Sequence, residues 1–180
     1  KKSFLHHFQQ LDLMSLQGAT IGSFGMELGF MCNGANFCYT KTLFEELHGF
    51  KGNNKMASGD DVFLLQKAMQ HQAEKVHFLK SKDTIVHTKP TNSWAELFSQ
   101  RVRWASKAVA YKSVFGKDLA VIVFASNLTI VLASCFLPLG LVSWVILAIL
   151  FALKFITDFI LLYKTNRFLR KKRMGYLLLS

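Results

Sequence analysis

The sequence predicts an α/β domain followed by a hairpin of two transmembrane helices. Helical and strand-like hydrophobic patterns alternate along the first part of the chain. Residues 119–153 then carry no charged side chain. The strand-like segments are too few for a complete sheet, so we expect the α/β part to be half of a domain.

The chain is basic and hydrophobic. Its 180 residues include 22 Lys and Arg against 11 Asp and Glu, and 51% are hydrophobic. This apolar content excludes an intrinsically disordered protein. A net charge of +11 is compatible with nucleic acid or with anionic lipid headgroups. Because the basic residues lie beside apolar segments, we expect lipid contact and no nucleic-acid partner.

Hydrophobic spacing assigns the elements of the first part of the chain. The predicted helices cover residues 2–17, 42–47, 60–72 and 93–114. The predicted strands cover residues 35–39, 75–79 and 84–88. Residues 18–34 are rich in glycine, which predicts a loop near a ligand or the membrane. Gly49 is expected to end the second helix.

The uncharged run is too long for one membrane span, because about 20 helical residues cross a bilayer. Pro138 and Gly140 interrupt it, which predicts spans at residues 119–137 and 139–163. The second span includes Lys154 and Asp158, one helical turn apart. These side chains either pair with each other or turn toward protein, or else Lys154 alone snorkels from a shorter span, and both readings remain open.

Residues 164–173 carry six cations directly after the second span. The positive-inside rule places this loop in the cytoplasm, and residues 1–117 with it. We therefore expect a cytoplasmic domain at 1–117, a hairpin at 118–163 and a basic loop with a further apolar segment at 164–180. The chain lacks an initiator Met and ends within apolar residues, so we expect it to be part of a longer membrane protein, with a bacterial inner membrane as the expected location.

Two adjacent carboxylates, Asp60 and Asp61, follow Ser58 and Gly59 at the predicted start of a helix. Ser58 and Asp61 have the spacing of a capping box, and acids at this position also favour the helix dipole. Alternatively, a carboxylate held rigidly at a helix start accepts a proton from an attacking hydroxyl group. The spacing alone allows both interpretations.

The long fourth helix contains the sequence Gln100-Arg101-Val102-Arg103-Trp104. Gln100, Arg103 and Trp104 share one helical face. A guanidinium offers forked donors to phosphate oxygens, and an indole offers an apolar surface to a sugar ring. The alternative is a basic helix beside the membrane with an interfacial tryptophan.

Asn33, Gly34, Ala35 and Asn36 form a short run of small and amide residues. Such residues let the backbone approach a ligand, although Asn-Gly also marks an ordinary turn. The chain has three cysteines, Cys32, Cys38 and Cys135, whose spacing matches neither a zinc site nor a disulfide framework. We expect each cysteine to serve in packing.

Together, the Asn33–Asn36 run, Gly49-Phe50, the Asp60-Asp61 pair and the motif ending at Trp104 resemble the C-terminal half of a membrane-bound family 2 glycosyltransferase. This group holds the cellulose, chitin and hyaluronan synthases. The resemblance covers residues 32–104 by motif and the remainder by architecture. It implies a GT-A (Rossmann-like) fold and an inverting hexosyltransferase that moves a sugar from a nucleotide-diphosphate donor to a saccharide or lipid-linked acceptor.

The resemblance also implies roles for individual residues. Asp61 would be the catalytic base, and residues 33–36 would line the acceptor site. The acceptor and the donor diphosphate would be bound by Gln100, Arg103, Trp104 and Asp60. We therefore expect Asp61 and the Arg103–Trp104 face of the long helix to converge on one cavity at the inner leaflet. A divalent metal, Mg or Mn, would bind an Asp-x-Asp motif in the preceding half, which is missing here. We therefore expect this chain alone to hold no metal and to be inactive.

The alternative is a non-enzymatic membrane protein, either part of a transporter or a membrane-tethered binding domain. It explains the spans, the basic loop and Trp104, but it leaves the order of the Asp60-Asp61 pair and the Gln100–Trp104 motif as a coincidence. The sequence does not determine the donor sugar, the acceptor, or whether transfer is processive.

Overall fold

A computed structural model of the chain describes residues 3–52, 59–108 and 112–169. Within these ranges the chain is helical, and no residue is in a strand. The helices are α1 (Phe4–Gly25), α2 (Lys41–Glu46), α3 (Asp60–His71), α4 (Trp94–Ala108), α5 (Val114–Phe136) and α6 (Trp144–Phe168). Short 3₁₀ turns lie at Gly34–Asn36 and Ala73–Lys75.

The predicted α/β fold, the C-terminal half of a GT-A (Rossmann-like) domain, is wrong for this structure. Phe37 and Val76, in two of the three predicted strands, have extended backbone angles. Neither lies in a sheet, because the described residues supply no adjacent strand to pair with their N–H and C=O groups. Alternating hydrophobicity therefore identified extended backbone at these positions but not a sheet.

Side-chain hydroxyl groups begin most of the helices. Thr40 Oγ1 accepts a hydrogen bond from Leu43 N at 3.1 Å, and Ser113 Oγ accepts one from Gly116 N at 3.1 Å. Ser143 Oγ accepts one from Ile146 N at 3.3 Å at the start of α6. Such caps satisfy N–H groups that have no partner in the first turn. They fix where α2 and the two apolar helices start.

The end of α2 follows the prediction, and its last residues contact α3. Gly49 has a φ of +53°, and its N–H donates to Phe44 O at 2.7 Å, so it closes the helix as a left-handed C-cap. Leu47 then packs against Leu64 and Ala68 of α3 in a small buried cluster. This cluster holds α3 in place.

Helix α1 extends through the glycines that were predicted to form a loop, as far as Gly25. Gly18 is buried against α6, where a Cβ atom would lie 2.9 Å from Leu161 Cδ1 and closer still to Thr165 Oγ1. Glycine thus permits close packing of two helices here. The glycine-rich segment is a helix-packing surface at this point.

Helices α5 and α6 are each long and apolar enough to cross a membrane, with mean hydropathies of 2.3 and 2.5. Most of their large apolar side chains are exposed, including Phe124, Trp144 and Phe155. A core helix of a soluble protein would bury such side chains, so this exposure suggests association with a membrane.

The two apolar helices begin and end away from the predicted limits. Helix α5 starts at Val114 and is longer than its predicted span, whereas α6 runs from Trp144 to Phe168 and has the predicted length but lies five residues further along the chain. Lys154 and Asp158 form an ion pair with each other on α6, the first of the two predicted alternatives. Of the predicted basic loop, residues 170–173 lie outside the described residues.

Candidate functional site

The acidic pair lies at the start of α3. The N-cap is Gly59, which has a φ of +98°, and Ser58 lies outside the described residues. Asp60 is exposed, whereas Asp61 is half-buried and its Oδ1 accepts a hydrogen bond from Val62 N at 2.9 Å. This contact leaves Oδ2 of Asp61 directed to other neighbours.

The turn at residues 33–36 lies against Asp61. A Cβ atom on Gly34 would be 3.1 Å from Asp61 Oδ2, so the glycine backbone approaches the carboxylate closely. Asn36 N donates to Asn33 O at 2.9 Å, and Asn36 Nδ2 donates to Thr84 O at 2.7 Å. Two residue sets predicted to serve the same acceptor site are therefore adjacent, with Asn33, Gly34 and Ala35 exposed.

Cys32 also lies beside the acidic pair, which its sequence position did not indicate. Burial, and to a smaller extent the nearby charge of Asp61, together raise the pKa of its thiol to about 12. The thiol is therefore protonated near neutral pH and does not serve as a nucleophile there. The protonated Cys32 thiol is a weakly polar neighbour of the carboxylate.

Gln66 connects α3, the helix that begins with the acidic pair, to the segment just before α5. Its buried side chain accepts a hydrogen bond from Lys112 N at 2.7 Å and donates one to Phe30 O at 3.4 Å. The Phe30 ring packs edge-on against Phe115, with centroids 5.6 Å apart. These contacts hold Asp61 near the start of the first apolar helix, and no sequence motif identified Gln66.

On α4, Gln100 and Arg103 line an open groove of about 550 Å³. Thr91, Glu96 and Ser99 also line it. The side chain of Arg103 is exposed, so its guanidinium is available to a phosphate that enters the groove. The groove thus contains two of the residues that the resemblance assigns to the diphosphate, together with one carboxylate.

Arg101 and Trp104 do not line the groove, and their side chains contact other residues of the fold instead. Arg101 Nε donates to Asp12 Oδ2 at 2.7 Å, and its Nη1 donates to Gln100 Oε1 at 2.7 Å. The Arg101 guanidinium lies 4.2 Å from the centre of the Trp104 ring. One face of the indole is thus covered by a cation and is not open to a sugar.

The predicted convergence of Asp61 with Arg103 and Trp104 in one cavity is not observed, because Asp61 does not line the α4 groove. Helix α4 is anchored to α1, where Gln9 Oε1 accepts a hydrogen bond from Thr91 N at 3.0 Å. Helix α3 is anchored to Lys112. The two residue sets are therefore held in place by different parts of the chain.

The described residues do not provide a metal site. No group of three or more His, Cys, Asp and Glu side chains among them is arranged to hold a metal ion. The divalent metal implied by the resemblance therefore stays a prediction about residues outside this chain.

Comparison with known proteins adds one finding. Residues 2–179 match the family model described as glycosyl transferase family 21. No curated protein and no solved structure matches the chain. The match confirms the prediction of a glycosyltransferase in general terms, but it does not support the narrower cellulose, chitin and hyaluronan synthase group.

Proposed function

Because the chain belongs to glycosyl transferase family 21, we propose that it contributes the acceptor side of a glycosyltransferase active site at a membrane surface. The reaction would move a sugar from a nucleotide-diphosphate donor to a hydroxyl group of a saccharide or lipid-linked acceptor. The observation that supports this site is the contact between Gly34 and the Asp61 carboxylate. It brings a turn of small residues close to a carboxylate, which supports a role for that carboxylate as a general base.

Asp61 would be the base of a single displacement. Its free carboxylate oxygen would take the proton of the acceptor hydroxyl as that oxygen bonds to the anomeric carbon. The bond to the donor diphosphate would break on the opposite face, with inversion. The exposed backbone at Gly34 would allow the acceptor hydroxyl to approach Asp61 without meeting a side chain.

Arg103 and Gln100 would bind the donor diphosphate in the α4 groove. A guanidinium there offsets the negative charge that grows on the leaving phosphate. Asp60, exposed at the helix start, would contact the acceptor, while Trp104 would support the site through its stack on Arg101. The non-enzymatic alternative is less well supported because it accounts for neither the family match nor the Asp61 environment.

Asp61→Asn in the full-length enzyme tests the base. We expect turnover to fall about 10²–10⁴-fold while donor binding is retained, because the amide keeps the shape but cannot accept the proton. Release of nucleoside diphosphate reports turnover, and calorimetry with the same nucleotide sugar reports binding. Glu74→Gln, an exposed acid in another turn, is the matched control and should behave as wild type. Near-normal turnover of the Asp61 variant would show that another group is the base.

A further inference from the structure

A second cavity lies on the part of α3 away from the acidic pair. It has a volume of about 480 Å³ and is formed by the turn after α2, the end of α3 and the segment before α5. Its titratable side chains are all basic, and no carboxylate of the described residues lines it. We call it the basic pocket, and its basic residues are Lys51, Lys67, Lys112, His48 and His71.

The wall of the basic pocket is rigid at Lys67. Its ammonium donates to Gly49 O at 2.6 Å and to Lys51 O at 2.7 Å, with Leu47 O at 3.5 Å. These carbonyl groups follow the end of α2 and have no partner in that helix. A positive charge is thereby fixed at the wall, while the exposed side chains of Lys51 and Lys112 remain available as donors.

The basic pocket brings like charges together. Burial lowers the pKa of Lys67, and the nearby ammonium of Lys112 lowers it further. Two cations that share a wall without a lining carboxylate repel each other. An anion bound between them would remove this repulsion, so the charge pattern indicates an anionic ligand.

The position of Lys112 indicates where that anion comes from. Lys112 precedes the start of α5 at Val114, and the uncharged run starts at residue 119. Five helical residues between these points rise about 7 Å. The headgroup layer of one leaflet is about 5–8 Å thick. If α5 crosses the bilayer, Lys112 lies at the depth of lipid phosphates.

We propose that the basic pocket binds the phosphate group of an anionic membrane lipid. This site is distinct from Asp61 and from the α4 groove, since it shares no lining residue with that groove. The bound phosphate would accept hydrogen bonds from Lys51 and Lys112 and lie in the field of Lys67. It would fix the start of α5 at the membrane surface, and it would fix α3 there as well because Gln66 of α3 binds Lys112.

Retention of phosphatidylglycerol by the full-length protein tests the proposal. The protein is purified in a neutral detergent, titrated with phosphatidylglycerol, and analysed by native mass spectrometry. The test variant carries Lys51→Gln and Lys112→Gln, and the control carries Lys82→Gln and Lys89→Gln, which change the charge equally outside the pocket. A lysine near an anionic lipid contributes about fivefold in affinity, so the test variant should bind about 30-fold more weakly. The control should stay within threefold of wild type.

Two further measurements distinguish a lipid phosphate from a soluble phosphate and keep the proposal testable if the variants misfold. Inorganic phosphate at millimolar concentration should not displace the lipid; equal competition would overturn the lipid assignment in favour of a soluble anion. A phosphatidylglycerol analogue with a photoreactive headgroup should crosslink the wild-type protein at residues 47–52 or 67–71. Crosslinking only elsewhere, or equal lipid retention by test and control variants, would overturn the pocket itself.

Discussion

The chemistry of Asp61 is set by three immediate contacts. Val62 N occupies one carboxylate oxygen, Gly34 approaches the other without a side chain, and Cys32 lies near enough to respond to the charge. A carboxylate in this setting has one oxygen fixed by a backbone hydrogen bond and the other beside a residue without a side chain. That arrangement suits a base that must meet a single hydroxyl group.

Cys32 offers a test of this arrangement that needs no substrate. Because the charge of Asp61 contributes to the raised pKa of the thiol, Asp61→Asn should lower that pKa. More thiolate is then present at any pH below 12, so alkylation of Cys32 by iodoacetamide at pH 9.5 should be several-fold faster. Peptide mass spectrometry measures the rate, with the exposed Cys38 as the internal control.

The expected change is selective. Burial is the larger cause of the raised pKa and remains in the variant, so Cys32 should still react more slowly than Cys38. If the two cysteines accelerate equally, the variant has loosened the structure as a whole. If neither alkylation rate changes, the charge of Asp61 does not act on Cys32, and the proximity of these two side chains is contradicted.

Among the elements, α1 supports both the α4 groove and the apolar hairpin. Its first half contacts the α4 region through Gln9 with Thr91, Asp12 with Arg101, and Phe8 with Trp94. Its second half packs against α6 at Gly18. A change in this helix therefore affects the position of the groove relative to the membrane.

Gly18→Ala should destabilise the protein by about 1–3 kcal/mol. The new methyl group would meet Leu161 Cδ1 and the buried Thr165, whose Oγ1 is already held by Leu161 O at 2.8 Å. Gly22→Ala is the matched control on the same helix, since nothing lies within 4 Å of its added methyl group. It should be neutral or stabilise by about 1 kcal/mol. Thermal unfolding in detergent measures both; equal unfolding temperatures would contradict the close contact between α1 and α6.

Local pattern predicted the helices well and the sheet badly. Helices α2 and α3 were placed within one residue at each end, because their hydrophobic faces and the Gly49 cap are contained in the segment itself. A sheet requires a partner distant in sequence, which the described residues do not provide. A similar reason applies to the extra length of α1, where Gly18 serves contact with α6 and a single-segment pattern cannot show it.

The residues of the candidate site also divide into those that a local motif identified and those that it did not. Asp61 and Gly34 were identified from motifs, and the structure brings them together. Cys32 and Gln66 were not identified, since their contribution comes from contacts between distant segments and their spacing carries no signal. The predicted meeting of Asp61 with Arg103 depended on the packing of two whole helices, which local spacing does not determine.

At the scale of the whole molecule, the candidate site, the basic pocket and the contact of α1 with α6 all lie at the same end of the apolar hairpin. Gln66 binds next to the start of α5, and Gly18 packs near the end of α6. If α5 and α6 are antiparallel membrane spans, they return the chain to the side on which it started. The charges support this: Lys164 and Arg167 lie at that end, whereas the connection between the helices, residues 137–143, has none.

If α5 and α6 form a transmembrane hairpin, Leu141 and Glu74 lie on opposite sides of the membrane. Leu141 is exposed in the connection, and Glu74 is exposed in the turn after α3. With the native cysteines replaced by serine, Leu141→Cys should react with a membrane-impermeant maleimide in intact cells. Glu74→Cys should react only after permeabilisation, because the positive-inside rule predicts that this side of the hairpin faces the cytoplasm. Labelling of both positions in intact cells, or of neither, would mean that the apolar helices do not cross the bilayer. Their exposed side chains would then need another partner, because leaving apolar surface in water costs a free energy of about 25 cal/mol per Å².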